Sequence, residues 1–152
     1  MLNHPPVEKP LALLDVGAGV SQNALSNSSK FGYLGKVFVA EVGTMAAYDH
    51  ASASNGTVAG IESIIGRTIG QNVKVLDPHT GKVGDFLTLN TADGSFRPDA
   101  IKFDHADSAI YVTSIGVIQE RTITPNGAAL PLETTWMYPN TGVIWKITHV
   151  QR

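Results

Sequence analysis

Cysteine is absent from this chain of 152 residues. Its absence excludes a disulfide framework and a thiolate metal site, and it fits any compartment. Charge is also scarce: 16% of the residues carry it, and the formal net charge is -2. That balance excludes an acidic or basic disordered tail and gives no electrostatic reason to expect nucleic acid. No apolar run approaches the ~18 residues of a membrane-spanning helix. The first ten residues, MLNHPPVEKP, are polar and proline-rich, and the following LALLDVGAGV is interrupted by Asp15, so no secretory leader is visible. A soluble protein without nucleic-acid or membrane partners is expected. Helix signals are few. AAYDHASA and AGIESIIG are the candidates, and Gly60, Gly66 and Gly70 confine the second to about two turns.

What the chain does have is glycine, 15 of them, with Val, Thr, Ser and Asn, a composition of short strands and turns. PLALLDV (10–16), KVFVAEV (36–42) and GVIWKITHV (142–150) read as strands. NVKVLDPHTGKVGDFLTL (72–89) reads as a hairpin. In its DPHTG turn Pro78 presets one dihedral and Gly81 supplies a positive one. DAIKFDHADSAIYVTS (99–114) reads as a second hairpin, with Ile101 and Phe103 against Ile110 and Val112 and a turn at DHAD.

Two phrases repeat. GKVFVAEVGT (35–44) and SAIYVTSIGV (108–117) match Val37 to Ile110, Phe38 to Tyr111, Val39 to Val112, Val42 to Ile115 and Gly43 to Gly116. Each is followed by a long stretch and then another strand, so a whole supersecondary unit recurs. The expected fold is all-β: two four-stranded β-propeller blades at roughly 20–89 and 97–148. Strand 10–16 is expected to complete the C-terminal blade, behind an N-terminal arm of residues 1–9. Two blades cannot close a ring and would leave open strand edges. The chain is therefore expected either to self-associate, three copies making six blades as a homotrimer, or to be a piece of a longer propeller. A β-sandwich with two similar hairpins is the competing architecture.

The phrases FGYLGKVFVAEVGT, GQNVKVLDPHTGKVGDFL, FRPDAIKFDHADSAIYVTS and TGVIWKITH together resemble the glucose/sorbosone dehydrogenase-like propellers, a quinoprotein group that uses pyrroloquinoline quinone (PQQ). The likeness spans residues 30–148, about a third of a six-bladed member. It implies a site at one end of a central channel, built here from loops 44–71 and 117–141 and from NTADGSFR (90–97). It also implies a periplasmic or secreted setting, and a sugar or aldehyde oxidoreductase activity.

On that resemblance Arg97 takes the place of the family's Arg-Pro arginine. There its guanidinium would hold carboxylates or sugar hydroxyls, or would pair structurally with Asp99 or Glu41. Glu41, closing the FVAE phrase, would bind hydroxyls or a metal, or answer Arg97. A dehydrogenase of this kind needs a base, and His50 is the histidine found in either long loop, although no family motif surrounds it. Tyr48, Trp136 and Tyr138 offer rings for stacking on a flat ligand, or simply pack their loops. Arg67 and Arg121 are further loop cations. His79 and His105 fall in turns expected on the opposite side, and no pair of histidines has metal-ligand spacing. Three functions stay open: a quinoprotein-like enzyme, a non-enzymatic small-molecule or carbohydrate binder, and an inactive piece of a longer propeller.

Overall fold

The computed structural model describes residues 9–15, 18–43, 70–89, 96–123 and 132–149, with only the backbone described through 118–123 and 132–137. Four strands form an antiparallel meander: β1 (Val20–Leu25), β2 (Val37–Glu41), β3 (Asn72–Leu76) and β4 (Val83–Thr88), in the order β1-β2-β3-β4. A second antiparallel sheet has the order β5-β6-β9, from β5 (Pro98–Phe103), β6 (Ala109–Ser114) and β9 (Val143–Thr148). Between β6 and β9 the chain makes a separate hairpin of β7 (Ile118–Ile123) and β8 (Leu132–Met137). The only helix among the described residues is a 3-10 turn at Ser29–Phe31.

The all-β expectation holds, and both predicted hairpins are present. β3 and β4 join through Asp77–Gly81, where Gly81 takes φ 69° and donates its N–H to the Asp77 carbonyl. Asp77 Oδ1 also accepts from the His79 N–H, so one aspartate organises the turn. β5 pairs β6 with Ile101 opposite Val112 and Phe103 opposite Ile110, as expected.

The two sheets pack face to face. Strand alternation sends Phe38 and Ala40 of β2 and Val73 of β3 toward the second sheet, where Ile101, Ile110 and Val112 meet them. Four phenylalanines lock this layer: Phe38 lies edge-on to Phe86 at 4.7 Å and to Phe103 at 5.4 Å between ring centroids, and Phe31 meets Phe103 at 5.4 Å. The 3-10 turn delivers Phe31. Ser28 caps it by accepting from the Lys30 N–H, and Gly32 ends it at φ 85°. Gln22 Oε1 accepts from the Ile101 N–H at 2.7 Å, a direct polar tie between β1 and β5.

Three features depart from expectation. β1, VSQNAL, carries no apolar alternation that marks it as a strand; it is largely exposed and is positioned by pairing with β2. The segment 117–141 is not simply a loop, since it contains β7 and β8. Residues 10–15, expected as the outer strand of the second sheet, form no strand. The chain leading from them into β1 is tied to the first sheet instead: the Ala18 carbonyl accepts from Gly43 N–H at 2.8 Å and the Gly19 carbonyl from Val42 N–H at 3.0 Å. Upstream, the Leu11 carbonyl lies against Gly81 in the β3–β4 turn. This path places the segment at the first sheet. The predicted helices AAYDHASA and AGIESIIG lie outside the described residues.

Candidate functional site

The repeated phrases end alike. Gly43 after β2 and Gly116 after β6 both take the left-handed conformation, φ 89° and 86°, and from each the chain enters a long connection. The far ends of those connections return to the same glycines. A Cβ on Gly70 would fall 2.5 Å from the Gly43 Cα, and one on Gly116 would collide with Thr141. Thr141 Oγ1 in turn accepts from Val117 N–H at 3.0 Å and donates to the Tyr138 carbonyl at 2.9 Å. Both long connections therefore leave from one end of the packed sheets through closed bases.

Beneath that end lie the buried polar groups. Arg97 is 3% exposed. Its N–H donates to Ser114 Oγ at 3.0 Å, its carbonyl accepts from Ile115 N–H at 3.1 Å, and its Nη1 reaches the Val42 carbonyl at 3.5 Å. The guanidinium thus crosses from the second sheet to the end of β2. It does not answer Glu41 or Asp99: the ion pairs among the described residues are Lys36–Asp77 at 2.7 Å and Lys74–Asp85.

Glu41 is 1% exposed, yet neither carboxylate oxygen accepts a hydrogen bond among the described residues. It stands opposite Asn72 in the β2–β3 ladder, and Asn72 Oδ1 is likewise buried without a partner. Alternation places Glu41 with Val39, on the face of the first sheet turned away from the second, so it and Arg97 share an end but not a face. Burial pushes the Glu41 carboxyl above its ordinary range; Lys74 opposes the shift, and Asp15 and Asp85 add to it. Unsatisfied buried oxygens are costly, and this row is a ready acceptor for hydroxyl or ammonium donors.

Of the other predicted site residues, Tyr138 sits at the β8–β9 connection at this end and is 44% exposed. Arg121 lies on β7 opposite Thr134, and Trp136 on β8 opposite Gln119. Tyr48, His50 and Arg67 lie outside the described residues. His79 and His105 fall in the β3–β4 and β5–β6 turns, as expected, and no group of three metal-ligating side chains occurs among the described residues. Sequence reasoning missed Asn72; its place opposite Glu41 follows only from the β2–β3 register. A shallow hollow lined by Tyr33, Lys36, Asp77 and Lys82 opens beside the β3–β4 turn, at the other end of those strands. Its cations are partly used by the Lys36–Asp77 pair.

No protein-family model, curated protein or solved structure matches this chain.

Proposed function

We propose that the two sheets are successive propeller blades and that their loop-bearing end binds a small polar molecule rich in hydroxyl or amine donors. The observation that carries this reading is the buried acceptor row of Glu41 and Asn72, unpartnered at the end from which both long connections leave. Three further features support it. Arg97 is held rigidly at the same end, Tyr138 is exposed there, and β1 and β5 lie side by side as inner strands of neighbouring blades would.

The resemblance to quinoprotein dehydrogenases suggests a redox extension of this site. A polycarboxylate quinone needs several cations. Among the described residues that end offers Arg97, with Lys74 already bound to Asp85 one row away. The described residues alone do not fit the quinone. The redox extension therefore rests on the candidates His50, Tyr48 and Arg67 in the 44–69 connection, and simple binding is the reading the geometry favours.

Calorimetric titration with aldoses, polyols and their amino derivatives tests the binding site. Binding that weakens at least about tenfold in Glu41→Gln and Asn72→Leu is expected, since each removes acceptors from the row. Equal affinity in both variants would refute the assignment. Dye reduction on adding quinone, calcium and an aldose is the separate test of the redox extension.

A further inference from the structure

The acceptor row of Glu41 and Asn72 does more than favour donors, because its charge selects among them. Glu41 supplies two carboxylate oxygens and Asn72 one amide oxygen, all three buried without a hydrogen-bond partner among the described residues. A hydroxyl can meet such an oxygen, but it brings acceptors of its own and no charge. A primary ammonium brings three donors, no acceptor and a full positive charge. Glu41 is 1% exposed and makes no ion pair among the described residues. An ionised carboxylate in that position is costly to bury, and a cation beside it offsets the cost.

The cations nearest the row are engaged elsewhere. Lys74 lies two residues along β3 from Asn72, on the same face, but its Nζ is held by Asp85, its neighbour on β4. Arg97 shares this end of the sheets but not this face, and its Nη1 reaches the Val42 carbonyl. The charged groups that act on Glu41 are Lys74, Asp15 from the segment before β1, and Asp85. Three carboxylates thus stand against one lysine, and the surroundings of the row are acidic.

The row is also close to the surface. Val20, Glu41, Asn72 and Thr88 form one rung across the four strands of the first sheet. Val20 and Thr88, its outer members, are exposed, whereas the two central ones carry the unpartnered oxygens. Those oxygens lie one strand, about 4.8 Å, in from exposed residues, a depth that the terminal group of a small ligand spans.

We infer that the ligand of this end is a primary amine, bound as its ammonium by the Glu41 carboxylate and the Asn72 carbonyl oxygen; this rests on the binding reading above and narrows its donors to a cation. Burial raises the Glu41 carboxyl, so the free protein holds a proton there more readily, and an arriving ammonium displaces that proton. Amine binding therefore weakens as pH falls toward 4.5, where Glu41 is protonated before the ligand arrives.

Calorimetric titration of the whole chain with glucitol and with its terminal amino-deoxy analogue, alike except at one end, is the test. The amine is expected to bind at least about tenfold more tightly at neutral pH. Glu41→Gln should bring the two affinities together while circular dichroism stays unchanged. Asn72→Leu, which keeps the charge, should weaken both ligands and preserve their ratio. Amine affinity should fall steadily from neutral pH toward 4.5, while glucitol affinity changes little. Equal affinity for the two ligands overturns the assignment of an amine and leaves the binding site standing. So does an amine preference that survives Glu41→Gln or is indifferent to pH. Binding of neither ligand refutes the site itself, and the amine with it.

Discussion

Glu41 shows what a single residue type could and could not convey. A carboxylate closing an apolar strand is conspicuous in FVAE, but Val39 and Ala40 are both apolar, so alternation alone does not say which face Glu41 joins. Pairing with Arg97 was a natural expectation, and the structure separates the two across the sheet. The thermodynamic sign follows from the raised carboxyl. The folded chain binds the proton more tightly than the unfolded chain, so stability rises as pH falls through the raised folded value toward 4.5. At pH 7 the buried charge is a cost. Glu41→Gln is therefore expected to melt at a higher temperature than the parent at pH 7, with the difference shrinking toward pH 4.5, in thermal scans across that range. An equal or lower melting temperature at pH 7 would show that the charge is compensated. Asp77 behaves oppositely: the Lys36 ammonium and then the His79 N–H hold it down to about 2. Its stabilisation is present above 3.8 and is lost as pH falls toward 2.

At the level of elements, legibility followed turn chemistry and apolar pattern. The β3–β4 and β5–β6 hairpins were readable because Asp, Pro and Gly mark their turns and β-branched residues mark their strands. β1 was not, since an edge strand exposed on most of its length needs no apolar alternation and takes its conformation from β2. PLALLDV misled for the converse reason: its leucines suit a strand, but a strand needs a ladder partner, and among the described residues no strand pairs with 10–15. The repeated terminal glycine was the most informative small signal. Gly116 has φ 86° and faces Thr141 with no room for a Cβ, whereas Gly35, at φ 73°, has open space. Gly116→Ala should cost about 3 kcal/mol, conformational strain plus overpacking against Thr141. Gly35→Ala should cost only the strain, about 1 kcal/mol. Urea denaturation of the two variants measures both, and similar costs would mean that the base of the second long connection yields easily.

For the whole molecule, the repeat foretold two similar sheets, and the structure adds that they stack through unlike faces. That asymmetry was not legible, because the sequence does not state which side of each strand meets the neighbour. It has a consequence for stability. Among the described residues Leu25, Val143, Ile144 and Trp145 are exposed, apolar surface that a neighbouring copy would cover if the sheets are blades of a shared propeller. Assembly binds the folded chain and not the unfolded one, so the melting temperature should climb with protein concentration. Such a contact would combine exposed apolar side chains such as Ile144 with charged ones such as Lys146. At about 1 M salt, where the Debye length is ~3 Å, the ionic part is screened and the apolar part persists. The dissociation midpoint should then rise several-fold without the assembly disappearing. Light scattering and thermal scans over a dilution series at low and high salt measure both quantities. A melting temperature independent of concentration would mean that the folded chain gains nothing from its neighbours.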